Sequence, residues 1–238
     1  MPGWFITFGR YAGGVLVFSM VALCSAVALV PCYFIYSAVD GRLGAPWALL
    51  SCPFLYGVWG WTYCLGCVLY KRAIFYRARE GEWTLFSWPV VGWGTTGALT
   101  NFANEMFLKH WKGTPFLNLY LRMMGAKIGH RVSINTVLIF DWDLLTIDDD
   151  VILGGDCVVQ AHVVEGGTMR MMPVRIHKHA LVGSGSKVLP GCIIEERGVL
   201  GAQSMMKKGD TIPANTVYGG VPAKLLKMRS APGQAKAS

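Results

Sequence analysis

The chain has 238 residues, room for one or two domains, and it is 53% hydrophobic against 15% charged, a balance that excludes an ordinary, wholly soluble globular protein. The net charge of +8 comes with no recognised nucleic-acid-binding motif and no regular basic-aromatic pattern, which argues against a nucleic-acid partner. Seven cysteines lack the spacing of a disulfide framework, as expected for a soluble part on the reducing side of a membrane.

From the N-terminus, twenty-nine uncharged positions separate Arg10 from Asp40 and twenty-eight separate Arg42 from Lys71. Each run exceeds the roughly 20 residues that cross a hydrocarbon core, so residues 1–80 are predicted to form a transmembrane helical hairpin. Its spans fall at about 12–38 and 46–70, joined by the turn Asp40–Pro46. The first run is too long for a cleaved signal peptide, and the second follows it directly. Lys71, Arg72, Arg77 and Arg79 flank the second span, and the positive-inside rule then puts both termini and the domain at 126–228 in the cytoplasm. Cys64 and Cys67 spell C-x-x-C at membrane depth and read as packing.

Residues 81–125 read as interfacial and linker helices. The stretch 83–104 is uncharged but carries Pro89, Asn101, Asn104 and tryptophans at 83, 88 and 93, so it is expected to lie in the interface and not to span. Lys109, Lys112, Arg122, Lys127 and Arg131 then suit an anionic lipid surface.

From Ile128 the pattern changes. Aliphatic residues return every sixth position, most clearly at Ile176, Val182, Val188, Ile194, Leu200, Met206 and Ile212, and earlier at Ile128 and Ile134 and at Ile147, Leu153 and Val159. Neither an α-helix nor an ordinary strand has this period; a chain that turns a corner after each short strand does. Four residues after most of these positions stands a second inward place, filled by Val132, Val151, Cys157, Ala180, Ser186, Cys192, Gly198 and Ser204, mostly small as a tight corner requires. Residues 126–228 are therefore predicted to form a left-handed parallel β-helix of hexapeptide repeats, mainly β, preceded by the α-helical hairpin; 229–238 reads as a flexible tail.

The rhythm slips twice. Ile134 to Ile147 is thirteen residues, one more than two hexads, around "FDWD"; Val159 to Ile176 is seventeen, where "VVEGGTMRMMP" reads as a loop pushed out of the coil. His162 stands at the start of that loop. A neutral imidazole is a suitable proton acceptor near neutral pH, which makes His162 the candidate general base. Counting by phase, His162 follows Val159 by three residues and His179 follows Ile176 by three, so both are expected at one corner of adjacent coils, with Asp143 approaching it as an orienting carboxylate.

The segment "GCIIEERGVLGAQSMMKKGDTIPANTVYGGVPAKLLK" resembles the end of hexapeptide-repeat acyltransferases, which close on a Gly-x-Pro-Ala-Lys/Arg element. "QAHVVEGGTMRMMPVRI" resembles the stretch where that family places a His before a loop. Over about residues 84–225, "KGTPFLNLYLRMMGAKIGHRVSINT" and "DLLTIDDDVILGGDCVVQAHVVEGGTMRMM" are similar to the membrane-bound C-terminal units of ε-poly-lysine synthetase-type nonribosomal peptide synthetases. The resemblance implies a membrane-anchored acyl or aminoacyl transferase with no bound cofactor, using an acyl-CoA or phosphopantetheine thioester as cosubstrate. It further implies a homotrimer or an assembly with sister β-helix units, and a carrier or adenylation protein as supplier. Gly183, Ser184, Gly201 and Ala202 would let the pantetheine arm approach the backbone, and Lys224 would meet donor phosphates. Two other readings share the fold: a non-catalytic trimerising scaffold, and a γ-carbonic anhydrase, whose metal-binding His spacing this chain lacks, so that no metal site is expected.

Overall fold

The structure is a computed structural model that describes residues 3–75, 77–85 and 87–229; apart from Arg229, the expected tail 229–238 lies outside them. The chain divides into two compact units, residues 1–76 with 92–108, and residues 77–91 with 109–238. The expected linker 81–125 is thus shared: its beginning and end belong to the β unit and its middle to the helical one.

In the helical unit, α1 (Gly3–Leu43) is followed by the short α2 (Ala45–Leu50) and by α3 (Cys52–Tyr70), which runs on into a π-turn at Lys71–Phe75. Gly13–Leu43 and Cys52–Ile74 are long and apolar enough to cross a membrane by length and composition. The helix α4 (Trp88–Met106) occupies most of the stretch expected in the interface. Its threonines do not oppose helix formation, because they bond back to their own helix: Thr96 Oγ1 donates to Gly92 O at 2.7 Å and Thr100 Oγ1 to Thr96 O at 3.0 Å. From Gly92 onward α4 packs on α3. Tyr70 Oη donates to Thr95 Oγ1 at 2.9 Å, and Phe102 meets Tyr63 with ring centroids 5.3 Å apart. Cys64 and Cys67 are buried free thiols in this packing.

In the β unit, α5 (Pro115–Met123) covers the open end of a left-handed parallel β-helix. It buries Leu117, Tyr120 and Leu121, and Asn118 Nδ2 donates to Val132 O at 2.7 Å. Three faces follow. On the first, the strands ending at Ile128, Ile147, Ile176, Ile194 and Ile212 pair in parallel. On the second, those of Ile134, Leu153, Val182 and Leu200 do the same and continue to Tyr218. On the third, Val159 pairs with Val188 and is bridged by Ile139. The six-residue set is the core: Val182, Val188, Ile194, Leu200 and Met206 are completely buried. Lys224–Met228 then turns back antiparallel on Thr216–Gly219.

The corner after the first face is built from non-glycine residues in the left-handed region. Arg131, Asp150, His179, Arg197 and Asn215, with φ between 51° and 59°, lie one above another there. An L-residue in this conformation costs on the order of 1 kcal/mol, which the parallel pairing on either side offsets.

Candidate active site

The loop expected at the second slip in the rhythm is a β-hairpin inserted into one coil. His162–Glu165 pairs antiparallel with Thr168–Met171 around Gly166 and Gly167, and the coil resumes where Met172 N donates to Ala161 O at 2.8 Å. Counting phase across the insertion therefore misplaces His179. Val159 shares a face with Val188, whereas Ile176 shares one with Ile147, so His162 and His179 stand at different corners. His179 faces Asp150, with Nδ1 3.8 Å from Oδ2.

The carboxylate that meets His162 is that of Asp141, two residues before the Asp143 that phase counting selects. Because Ile139 bridges to Val159 and Phe140 N donates to Val159 O at 3.0 Å, the next residue falls beside Ala161 and His162. Asp141 takes a left-handed conformation (φ 59°, ψ 46°) and precedes the 3-10 turn Trp142–Leu144. Its Oδ2 lies 2.7 Å from His162 Nδ1 and accepts the Ala161 N–H at 2.8 Å. Asp143, on the turn itself, accepts the Ala78 N–H at 2.9 Å. The signal for Asp141 was available in "FDWD", had Ile139 been taken as an inward residue of the third face.

An ionised carboxylate carries no hydrogen, so in this contact Nδ1–H of His162 is the donor. The Asp141 side chain is 0% exposed and that of His162 17%, so the carboxylate is shielded while the ring keeps an outlet. Phe140 meets the ring edge-on at 6.2 Å between centroids, and Gln160 Nε2 donates to His162 O at 3.3 Å. This arrangement can take a proton at Nε2 and hold the resulting imidazolium against a buried anion.

A second pair, His177 Nδ1 to Asp148 Oδ2 at 2.9 Å, is not evident from the repeat pattern. It belongs to a charged ladder in which residues 148–150 face residues 177–179. There the His130 backbone N–H lowers the Asp149 carboxyl below its ordinary value, and the Arg131 guanidinium lowers that of Asp150. Among the described residues no group of three or more His, Cys, Asp or Glu is gathered to hold a metal.

The expected donor-binding residues lie apart from His162 within one chain. Gly183 and Ser184 stack against Gly201 and Ala202 at the corner between the second and third faces. A Cβ on Gly183 would lie 2.3 Å from Ala202 N, so close packing of successive coils itself requires glycine there. Ser184 and Ala202 are exposed. Lys224 lines a cleft of about 200 Å³ with Lys207, Asp210, Tyr218 and Pro222. Among the basic residues assigned to lipid, Lys112 pairs with Asp156 at 2.8 Å and Arg131 with Asp150 at 2.6 Å, and Arg122 donates to the carbonyls of Ile128 and Gly129. Cys157 and Cys192 fill inward corners, where burial pushes their thiols up to about 12 and about 11.

No protein-family model matches the chain. It is 29% identical over 171 residues to the delta-poly-L-ornithine synthetase of Acinetobacter baumannii, covering 69% of this chain and 13% of the synthetase. It is 31% identical over 81 residues to the mitochondrial gamma carbonic anhydrase 2 of Arabidopsis thaliana, covering 34% of this chain and 25% of that protein. The chain thus spans a small part of the length of both curated relatives. Among solved structures, a hexapeptide transferase family protein from Anaplasma phagocytophilum is 25% identical with a TM-score of 0.35, covering 44% of this chain and 56% of that one.

Proposed function

We propose that the chain is a membrane-anchored acyl or aminoacyl transferase that moves an acyl group from a pantetheine thioester to an amine, with His162 as general base and Asp141 as its positioning residue. The observation that carries this reading is the 2.7 Å contact between His162 Nδ1 and a fully buried Asp141 carboxylate, which fixes the ring in place while 17% of its side chain stays exposed. As a neutral amine attacks the thioester carbonyl, Nε2 takes its proton and the C–N bond forms. The C–S bond then breaks, and the imidazolium returns the proton to the departing thiolate. The similarity to a synthetase that by its name builds a poly-ornithine chain favours an amine acceptor over a hydroxyl.

The helical hairpin is the anchor, with the β-helix on the cytoplasmic side, supported by the two apolar spans and by the basic residues after the second. On one β-helix the third face separates His162 from Gly183 and Ser184, so a donor lying along those residues meets His162 only in a groove shared with a second β-helix. The outward residues of the second face, Ile152, Leu181, Val199 and Val217, form an apolar strip suited to such an assembly, a homotrimer or sister units.

The test uses the full chain in lipid nanodiscs with acetyl-CoA or ornithinyl-pantetheine as donor and ornithine as acceptor, following the amide by mass spectrometry and the thiol by colour. Amide formation lost in His162→Ala with assembly intact supports the reading; turnover that survives this substitution overturns it. The similarity to gamma carbonic anhydrase favours a second reading, carbon dioxide hydration on a shared metal. Stoichiometric zinc lost in His162→Ala would establish that reading and displace the first.

A further inference from the structure

The segment that follows the π-turn after α3 touches both members of the His162–Asp141 pair's support, at points three residues apart. Ala78 N donates to Asp143 Oδ2 at 2.9 Å and so holds the 3-10 turn that Asp141 precedes. Gly81 then begins a strand, Gly81–Thr84, that adds to the outer edge of the inserted hairpin. In its register Gly81 lies opposite Met171, and Met171 lies opposite His162 on its other side. One cross-strand row therefore runs from Gly81 through Met171 to His162. The strand is held further by Glu82 to Arg170 Nε at 2.6 Å and by Leu85 N donating to Gly167 O at 3.3 Å.

We propose that Ala78–Thr84 is a positioning strap for the active site, with Asp143 and Gly81 as its two anchor residues. Asp143 acts on the turn that carries Asp141, not on the imidazole. The physical need is clear from the insertion. A hairpin extruded from a solenoid has lost the parallel pairing that holds a regular coil, and the turn at Asp141 is an irregular segment as well. Without a third element, the His and the Asp would each sit on structure of low local stability. The strap closes a short circuit between the two, so that the carboxylate and the ring keep their 2.7 Å contact. Gly81 suits the anchor because its φ is 147° and a Cβ there would lie 3.2 Å from the Trp83 ring.

This inference rests on the proposed role of His162 but has its own readout, which needs no substrate. The full chain, ¹⁵N-labelled at histidine, is studied in detergent micelles by NMR and by hydrogen exchange, as the wild type and as Asp143→Ala, Asp143→Asn and Gly81→Val. The wild type is expected to show His162 in the Nδ1–H tautomer. In Asp143→Ala and Gly81→Val that signal is expected to become a mixture of tautomers, with amides of residues 140–144 and 162–165 exchanging about five- to tenfold faster, the effect of one lost hydrogen bond. Asp143→Asn, which can still accept the Ala78 N–H, is expected to restore the wild-type spectrum. An unchanged tautomer and unchanged exchange in both disruptive variants would overturn the strap. Should Asp143→Ala fail to fold, Gly81→Val decides alone. Absence of amide formation in the wild type with these signatures intact would count against the transferase and leave the strap standing.

Discussion

Among the described residues, two His–Asp contacts of nearly equal length fall within hydrogen-bonding distance, His162–Asp141 at 2.7 Å and His177–Asp148 at 2.9 Å, in opposite settings. In the first the carboxylate is 0% exposed and takes a second hydrogen bond from the Ala161 backbone. In the second both side chains are open, 41% and 34%, at a corner of regular coils. An exposed pair of this kind is screened by water and contributes little, whereas a buried carboxylate with two donors is fixed in place and fixes its partner. Contact distance alone does not separate the two; burial and attachment to the backbone do.

The comparison would break most clearly through substitution of the two histidines. His162→Ala is expected to lower the rate of amide formation by about 10²–10⁴-fold, while His177→Ala changes it less than about twofold, since an exposed side chain away from the site is close to neutral. Equal losses in the two variants, measured in the same nanodisc assay, would remove the distinction. The regular coils supply the next largest effect. Leu200, 0% exposed, is expected to cost about 2–5 kcal/mol when replaced by Ala, whereas Val164 on the hairpin, 45% exposed, costs under about 0.5 kcal/mol, both read from denaturant unfolding.

Asp141→Asn keeps the shape of the buried partner but removes its charge and allows the wrong tautomer, so a rate loss on the order of 10²-fold is expected. Asp148→Asn should leave the rate unchanged, and a matching loss there would show that the exposed pair serves the reaction. The smallest effect concerns the ladder around the exposed pair. Asp149 and Asp150 are held below their ordinary 3.8 in the folded chain, by the His130 N–H and by Arg131 respectively. A carboxyl depressed on folding contributes stability that is present above its unfolded value and is lost as pH falls through the lower folded value. The Tm of the β unit is therefore expected to fall as pH drops below 3.8, with a shallower fall in Asp150→Asn. An identical slope in that variant would show that other groups dominate acid unfolding.

The hexapeptide register was legible because it is local. Each coil repeats the same steric requirement at the same spacing, so Ile176 through Ile212 announce their burial without knowledge of what they pair with. The site was legible only in part. His162 stood out by its place at the head of an inserted segment, but its partner did not, since Asp141 is found only once Ile139, which lies outside the six-residue count, is taken as an inward residue of the third face. Phase counted straight through "VVEGGTMRMMP" put Val159 and Ile176 on one face, although the extruded loop was recognised, and so brought His179 to the wrong corner.

By itself, the sequence determined the two apolar helices, the repeat, its inward residues and the segment from which His162 projects, because each of these depends on a residue and its near neighbours along the chain. Tertiary structure alone decided that Asp141 and not Asp143 meets the imidazole, that His179 stands at a different corner from His162, and that Gly81–Thr84 completes the hairpin sheet. These depend on register between segments far apart in the chain, and a shift of one or two residues there changes which side chain points where.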